Sequence, residues 1–223
     1  MTSVLVIDDH PIVLQGCRRL FQDAGVERVL EASTLLSGYR LFRRERPDVV
    51  IIDLALQGNG LSGLILVRRL RAQNAQIPIL VFSMHGDPVI ARRALEAGAN
   101  GYVLKDTASG VLLEAFERVR RGQPYMSHDL AMQIALLGSR GRAAPLDDIT
   151  PRELQALSLL AEGRDYSQIA AELGISYKTV ANTCSQLKAK LGAPTLPELV
   201  RLSIKYMSTS FGADRGSRTR RSE

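Results

Sequence analysis

The sequence predicts an α/β protein: a doubly wound, five-stranded parallel sheet followed by a small all-α helix-turn-helix domain. Over the first 122 residues, five short apolar runs alternate with segments of helical periodicity, the pattern of a parallel sheet with right-handed crossovers. The clearest run is Val49–Ile52, four β-branched residues that lead straight into Asp53. A continuous apolar run of this kind is typical of a strand buried on both faces. After about residue 149 no strand pattern remains, so the second domain is predicted to be helical.

Residues that start or end helices separate these strands. Pro11 and Pro88 stand where the first and fourth helices would begin, a position at which the missing N–H has no cost. Thr34 can cap the second helix, and Gly98 can end the fourth. The predicted strands are 3–7, a short one around 29–30, a third ending at 53, then 78–83 and 101–105, with helices at 11–21, 35–44, 64–70, 88–97 and 112–119.

Helical signals also divide the second half of the chain. Thr150 and Glu153 form the pattern of a capping box, with Pro151 at the first helical position. The predicted helices are one between 150 and 163, then 166–173, 177–191 and about 197–207, and the two joined by a glycine-containing turn match a helix-turn-helix. We therefore expect a first domain at 1–122, a linker at 123–148 that can hold a helix at 127–137, a helical domain at 149–207 and a disordered tail at 208–223.

Composition excludes several classes of protein. The chain has 223 residues, 45% of them hydrophobic, enough for one large domain or two small ones. Its two cysteines, Cys17 and Cys184, do not have a metal-ligand spacing. The small number of cysteines argues against a secreted disulfide scaffold. With no signal peptide and no apolar run of membrane-spanning length, we expect a cytoplasmic protein without a membrane partner. The net charge of +6 is spread over both halves and does not by itself indicate nucleic-acid binding.

Residues with charged or reactive side chains stand at the ends of four predicted strands: Asp8 and Asp9, Asp53, Ser83 and Lys105. The carboxyl ends of parallel strands meet at one edge of the sheet, where open α/β folds bind ligands. Three carboxylates brought together repel each other unless a cation holds them, and hard oxygen ligands suit Mg²⁺. An aspartate can accept a phosphoryl group, which a lysine and a hydroxyl can stabilise. The set therefore predicts phosphoryl transfer to Asp53, although each residue taken alone could cap a helix, begin a turn or be a solvated charge.

Four motifs connect the first 122 residues to a known family: VIDDHP at 6–11, VIIDL at 50–54, FSMH at 82–85 and AGANGYVLKD at 97–106. Together they resemble the receiver domain of bacterial response regulators, in particular the NarL/FixJ subgroup. The resemblance implies that Asp53 accepts phosphate from a sensor histidine kinase. It implies an Mg²⁺ site and a switch pair, in which a hydroxyl moves to the phosphoryl group and a ring turns inward. The implied ligands are Asp8, Asp9, Asp53 and the backbone carbonyl of Ala55, and the implied switch pair is Ser83 and Tyr102.

The loop after Asp53 departs from the family pattern. Receiver domains usually have a Met-Pro pair and then a glycine there, whereas this chain has LQGNGLSG at 56–63, without the proline and about two residues longer. Two additional glycines make the loop more mobile. We therefore hypothesise an altered lifetime of the phosphoryl group or an altered docking of the kinase.

A second group of motifs occupies 149–207: ITPREL at 149–154, LAEG at 160–163, QIAAELGIS at 168–176, KTV at 178–180 and KLG at 190–192. They resemble the LuxR-type helix-turn-helix, in which the helix corresponding to 177–191 enters the major groove of double-stranded DNA. The candidate DNA-contacting residues are Tyr177, Lys178, Ala181, Asn182, Ser185, Lys188 and Lys190. Asn182 can read adenine, whereas each lysine is either a phosphate contact or a solvated surface charge. The expected core residues are Ile169, Leu173, Val180 and Leu187.

Two further features of this region concern affinity and assembly. The family often has a lysine and a histidine where this chain has Ala181 and Thr183, so fewer charges on the reading face suggest another target sequence or weaker binding. The last helix, with Leu199, Leu202 and Ile204, resembles the family's dimerisation helix and implies a homodimer. Its apolar stripe could equally serve internal packing.

The sequence as a whole predicts a DNA-binding transcription regulator of a two-component pathway, for which "enzyme" is a poor label. A phosphohydrolase with an aspartyl intermediate is one alternative, but such hydrolases usually place a second acid where this chain has Ala55. A regulator that works without phosphorylation is the other. The complete set of pocket residues argues against it, and the unusual loop keeps it open.

Overall fold

The computed structural model describes residues 2–56, 61–139, 146 and 148–207. The strands are β1 (Ser3–Ile7), β2 (Arg28–Ala32), β3 (Val49–Ile52), β4 (Ile79–Ser83) and β5 (Gly101–Leu104). The helices are α1 (Pro11–Asp23), α2 (Leu35–Glu45), α3 (Gly63–Gln73), α4 (Pro88–Glu96), α5 (Ser109–Arg120), α6 (His128–Ser139), α7 (Pro151–Ala161), α8 (Tyr166–Leu173), α9 (Tyr177–Leu191) and α10 (Leu196–Met207). The predicted glycine-rich segment after Asp53 at 57–60, most of the predicted flexible stretch at 138–142 and the tail at 208–223 lie outside these described residues.

The five strands form one parallel sheet in the order β2-β1-β3-β4-β5, which confirms the predicted fold class. The chain places β2 on one side of β1 and β3 on the other, so the strand order reverses at β1. In open α/β sheets a crevice opens at such a reversal, beyond the carboxyl ends of the strands. We therefore expect a ligand-binding site at the carboxyl ends of β1 and β3.

Burial on both faces of the sheet explains the continuous apolar runs. In β3, Val50 and Ile52 pack into the core on one face, while Val49 and Ile51 pack into a second core on the other. All four side chains are at most 1% exposed. Alternate residues of a strand point to opposite faces, so a strand covered on both sides must be apolar throughout.

The C-terminal helices begin and end where their capping residues stand. Thr150 and Glu153 form the predicted capping box of α7, and Ser176 caps α9 through the N–H of Thr179. Gly174 and Gly192 end α8 and α9 in the left-handed conformation that glycine adopts without strain. Of the expected core residues, Ile169, Val180 and Leu187 are fully buried and Leu173 is half-buried.

The predicted linker contains a helix. α6 spans His128–Ser139, close to the predicted 127–137, and it packs against α4 of the sheet domain with Leu130 buried. Further along, the guanidinium of Arg93 on α4 donates a hydrogen bond to the carbonyl of Leu146. Two contacts therefore hold the linker against α4. Among the described helices, none is long and apolar enough to cross a membrane.

Candidate functional site

The register of the sheet brings two predicted acids together. Ile7 pairs with Ile52 across β1 and β3, so Asp8 and Asp53, the residues that follow, lie side by side at the carboxyl edge. The N–H of Asp53 donates to the carbonyl of Ile7 at 2.9 Å, which fixes this alignment. Both carboxylates are almost completely buried, at 1% and 2% exposed.

Lys105 closes the pocket from beyond β5. Its Nζ lies 2.7 Å from Oδ2 of Asp8 and 2.8 Å from Oδ2 of Asp53, and its side chain is 6% exposed. Burial raises the pKa of Asp53, while the ion pair with Lys105 opposes that shift. Burial by itself would lower the pKa of Lys105, but the two carboxylates raise it overall. One buried cation thus faces two buried anions, and the pocket keeps a net negative charge.

The excess negative charge fits a divalent cation. Oxygen atoms of Asp8, Asp9 and Asp53 and a ring nitrogen of His10 all lie within 4.8 Å of one another. Oδ1 of Asp53 is buried, and among the described residues no group donates a hydrogen bond to it. A buried carboxylate oxygen without a donor is costly unless something else supplies positive charge. Carboxylate oxygens are the ligands that Mg²⁺ prefers, so the donor set fits that ion.

Two of the predicted magnesium ligands are less enclosed. The side chain of Asp9 is 23% exposed. Nδ1 of His10 lies 3.2 Å from Oδ1 of Asp9 and 3.0 Å from Oδ1 of Asp8. Ala55 lies two residues beyond Asp53, in the segment that leaves β3, and its carbonyl stays a predicted ligand. The structure therefore gathers the three acids, and it adds His10 beside them.

The predicted switch pair lies on the other side of Asp53. Ser83 ends β4 and is fully buried, and its hydroxyl accepts a hydrogen bond from the N–H of His85 at 3.2 Å. Tyr102, in β5, is 1% exposed, and its hydroxyl donates to the carbonyl of His85 at 2.6 Å. Burial raises the pKa of Tyr102, so the ring carries its proton as a donor. The tyrosine ring is thus already turned inward, and the loop after β4 holds both members of the pair.

Gly63 allows α3 to start directly against Asp53, the predicted phosphoryl acceptor. A Cβ atom at this position would lie 2.3 Å from the carbonyl oxygen of Asp53 and 2.6 Å from Cα of Leu54. Real Cβ atoms do not approach backbone so closely, so no other residue fits without moving the chain. This glycine fixes the path of the backbone that leaves Asp53.

The candidate DNA-contacting residues share one helix and differ in exposure. On α9, Tyr177 is 58% exposed, Lys178, Asn182 and Ser185 are exposed, and Ala181 and Lys188 are half-exposed. The helix packs against α7, α8 and α10 through Val180, Cys184 and Leu187 on its opposite side. The arrangement leaves a polar helix face accessible to a major groove.

Lys190 differs from the other candidates because its side chain is engaged in contacts within its own domain. Its Nζ lies 2.7 Å from Oε2 of Glu153 and 2.9 Å from the carbonyl of Asp148. Glu153 is 4% exposed and also accepts from the N–H of Thr150. These contacts tie the end of α9 to the start of α7 and favour a structural role for Lys190.

Sequence reasoning did not single out His10, His85 or the partner of Lys190. His10 follows an acid pair directly, which was an available signal. Burial, together with the charge of Lys105, lowers the pKa of His85, and the backbone of His85 bonds both Ser83 and Tyr102. The pairing of Glu153 with Lys190 spans 37 residues and leaves no local pattern.

Comparison with known proteins places both halves of the chain in characterised families. The family model described as "Response regulator receiver domain" matches residues 4–117, and "Bacterial regulatory proteins, luxR family" matches residues 147–203. Methanol utilization control regulatory protein MoxX of Paracoccus denitrificans is 41% identical over 204 residues, which cover 92% of each chain. Response regulator UvrY of Escherichia coli K12 is 31% identical over 209 residues, 92% of this chain and 95% of that protein.

Solved structures show the same architecture. The RcsB response regulator of Salmonella typhimurium superposes with a TM-score of 0.72 at 26% identity, covering 92% of this chain and 98% of RcsB. Another solved structure is a complex of RcsB with DNA, with a TM-score of 0.57 at 25% identity over 92% of this chain and 98% of that one. The chain therefore belongs to the two-component response regulators that combine a receiver domain with a LuxR-type DNA-binding domain.

Proposed function

We propose that this response regulator controls transcription through phosphorylation of Asp53 by a sensor histidine kinase. The observation that supports this most directly is the buried group of Asp8, Asp53 and Lys105 at the carboxyl edge of the sheet. A lysine placed between two carboxylates is poorly explained by stability, because buried ion pairs gain little over apolar packing. A site that must receive a phosphoryl group needs both the acceptor and the cation.

The transfer itself needs little from the protein beyond positioning. The P–N bond of a phosphohistidine on the kinase breaks, a P–O bond to the Asp53 carboxylate forms, and the released electron pair stays on the imidazole. Lys105, 2.8 Å from Oδ2 of Asp53, is placed to bind one oxygen of the transferred group. The residues that would hold Mg²⁺ are Asp8, Asp9, Asp53 and the carbonyl of Ala55. When bound, the ion neutralises phosphoryl charge and so lowers the barrier to transfer.

The signal would leave the pocket through Ser83 and Tyr102. The buried hydroxyl of Ser83 would move toward the phosphoryl group and donate to it, and this movement would break the hydrogen bond that the hydroxyl now accepts from the N–H of His85. Because Tyr102 also holds His85, through its carbonyl, the two residues act on the same short loop. That loop leads into α4, which packs against α6 of the linker. Phosphorylation would thus shift a two-state equilibrium that includes the linker.

The output is binding of double-stranded DNA by a homodimer. The residues proposed to contact DNA are Tyr177, Lys178, Ala181, Asn182, Ser185 and Lys188, with Lys190 a candidate whose ion pair would have to open. On α10, Leu199 is buried against the domain and Ile204 is 45% exposed, so the same helix can serve packing and dimerisation. The proposed domains are 1–122 and 149–207, joined by 123–148, and we place the protein in the cytoplasm, where the bacterial chromosome lies.

The test is the intact mass of the purified protein after incubation with Mg²⁺ and either acetyl phosphate or phosphoramidate. We expect a single phosphoryl adduct on wild type that is absent from Asp53→Asn and from a sample without metal. Asp48→Asn is the matched control, because Asp48 lies at the opposite end of β3 and bonds Ser3. An adduct of equal yield on Asp53→Asn, or no adduct with either donor, would contradict the proposal.

A further inference from the structure

Charge is distributed unevenly over the receiver domain. The helices α2 and α3, together with Arg46, carry seven arginines and one glutamate, a net charge of +6. The other basic and acidic residues of 1–122 number 9 and 12, a net charge of −3. We call the positive surface the arginine face; its members are Arg40, Arg43, Arg44, Arg46, Arg68, Arg69 and Arg71.

Most of the arginine face is available to a partner. Six of its seven arginines are exposed, and the seventh, Arg71, is half-buried and donates to the carbonyl of Gly98. The one acid, Glu45, is already neutralised by Arg28 and Arg44. Among the described residues, no acid lies within ion-pair distance of the four arginines Arg40, Arg43, Arg46 and Arg68. Uncompensated guanidinium groups on one surface attract anions, and their planar donors suit phosphate.

Two clefts extend this surface at its ends. One, of about 560 Å³, is lined by Arg43 and Arg46 with the polar residues Gln73 and Asn74 across from them. The other, of about 380 Å³, is lined by Arg68, by Arg92, Arg93 and the acid Glu96 of α4, and also by Ile149 and Pro151. Because these last two residues begin the DNA-binding domain, the arginine face reaches that domain directly.

The DNA-binding domain is itself weakly charged. Residues 148–207 carry seven basic and six acidic residues, a net charge of +1. Lys190 is engaged with Glu153, and two further cations, Arg164 and Arg201, pair with acids of their own domain. Phosphate neutralisation supplies much of the affinity of proteins for duplex DNA, so this domain alone offers few contacts.

We propose that the arginine face of the receiver is a second DNA-binding surface, which contacts phosphates of the duplex beyond the site read by α9. The inference rests on DNA binding by the C-terminal domain. It assigns the receiver a role in affinity besides its role in signalling. Contacts of this kind position the protein without reading sequence, so they act on any flanking DNA.

The test is the salt dependence of binding to random-sequence duplexes of about 16 and about 60 base pairs, followed by fluorescence anisotropy between about 20 and about 200 mM KCl. The variant is Arg40→Gln/Arg43→Gln/Arg46→Gln. Among the described residues no acid pairs with these three arginines, so the substitutions break no ion pair. The control, Arg19→Gln/Arg118→Gln/Arg121→Gln, removes the same charge from α1, from α5 and from the residue that caps the end of α5, and each of these arginines pairs with an acid of the adjoining helix.

On the long duplex we expect the variant to flatten the plot of log K against log salt by about 0.9 for each phosphate that it no longer neutralises, up to nearly 3, whereas the control keeps the wild-type slope. On the short duplex all three proteins should behave alike. Equal slopes for all three on the long duplex would overturn the inference, and so would an equal flattening in variant and control, which reports net charge alone. Wild type that binds neither duplex at the lowest salt would instead contradict DNA binding itself.

Discussion

At the scale of single residues, Asp53, the proposed phosphoryl acceptor, is a carboxylate whose burial costs stability. Burial raises its pKa, and the neighbouring Asp8 adds to that effect. A carboxyl group with a raised pKa contributes stability below its unfolded pKa and loses it as the pH rises through the folded value. Ionised Asp53 therefore destabilises the fold at neutral pH, and we expect Asp53→Asn to raise the free energy of unfolding at pH 7 by on the order of 1 kcal/mol.

Urea unfolding of both proteins at pH 7 and pH 4 measures this effect. The gain should shrink toward pH 4, as the wild-type carboxyl becomes protonated. In Asp53→Asn, Lys105 still has Asp8 as a neighbour. Asp48→Asn should not stabilise at neutral pH, because hydrogen bonds from Ser3 lower the pKa of Asp48. A loss of stability in Asp53→Asn at pH 7 would show that the ion pair with Lys105 outweighs the cost of burial.

At the scale of elements, the contact between Glu153 and Lys190 joins the start of α7 to the end of α9. Burial acts to raise the pKa of Glu153, but hydrogen bonds from Lys190 and the N–H of Thr150 lower it overall. A lowered pKa gives stability that is present above the unfolded value and lost as the pH falls through the folded one. We expect Glu153→Gln to cost about 1 to 2 kcal/mol at pH 7 and less at pH 4.

A double-mutant cycle with Lys190→Gln in the full chain separates the pair from its surroundings. The double variant should cost little more than either single one, since each removes the same interaction. The exposed pair of Glu198 and Arg201 on α10 is the control, and the coupling energy from its double-mutant cycle should be near zero. Additive costs for Glu153 and Lys190 would mean that the two side chains act independently.

The sequence predicts most elements because the signals that bound them are local. The bounds of α8 and α9 are those expected at 166–173 and 177–191, since caps such as Ser176 and Gly192 lie beside the turns that they end. The convergence of Asp8, Asp53 and Lys105 followed from the topology of a parallel sheet. By contrast, the hydrogen bond of Arg93 to Leu146 spans 53 residues, and the carbonyl of His85 that Tyr102 binds has no side-chain signature.

At the scale of the whole molecule, α7 is buried along most of its length and begins beside the receiver domain. Eight consecutive residues, 153–160, are buried, and eight residues cover more than two turns, so every side of the helix is covered. The packing helices α9 and α10 account for part of this burial. On the receiver side, Arg93 is 8% exposed and faces Ile149 and Pro151 across a shared cleft. Tyr177 on α9 stays exposed in this arrangement, so the contacts of α4 do not cover the helix that is proposed to read DNA.

The hydrogen bond from Arg93 to the Leu146 carbonyl gives this docking a single-residue test. Arg93→Gln removes a buried donor worth about 1 kcal/mol, so amide hydrogen exchange in α6 and α7 should accelerate about fivefold. Arg118→Gln removes the same charge from α5, which packs against α1, β3, β4 and β5, and should leave exchange in α7 unchanged. If Arg93→Gln accelerates exchange in α4 alone, Arg93 stabilises only its own helix. Acceleration in α7 would instead show that α4, which follows the loop bonded by Ser83 and Tyr102, holds the DNA-binding domain in place.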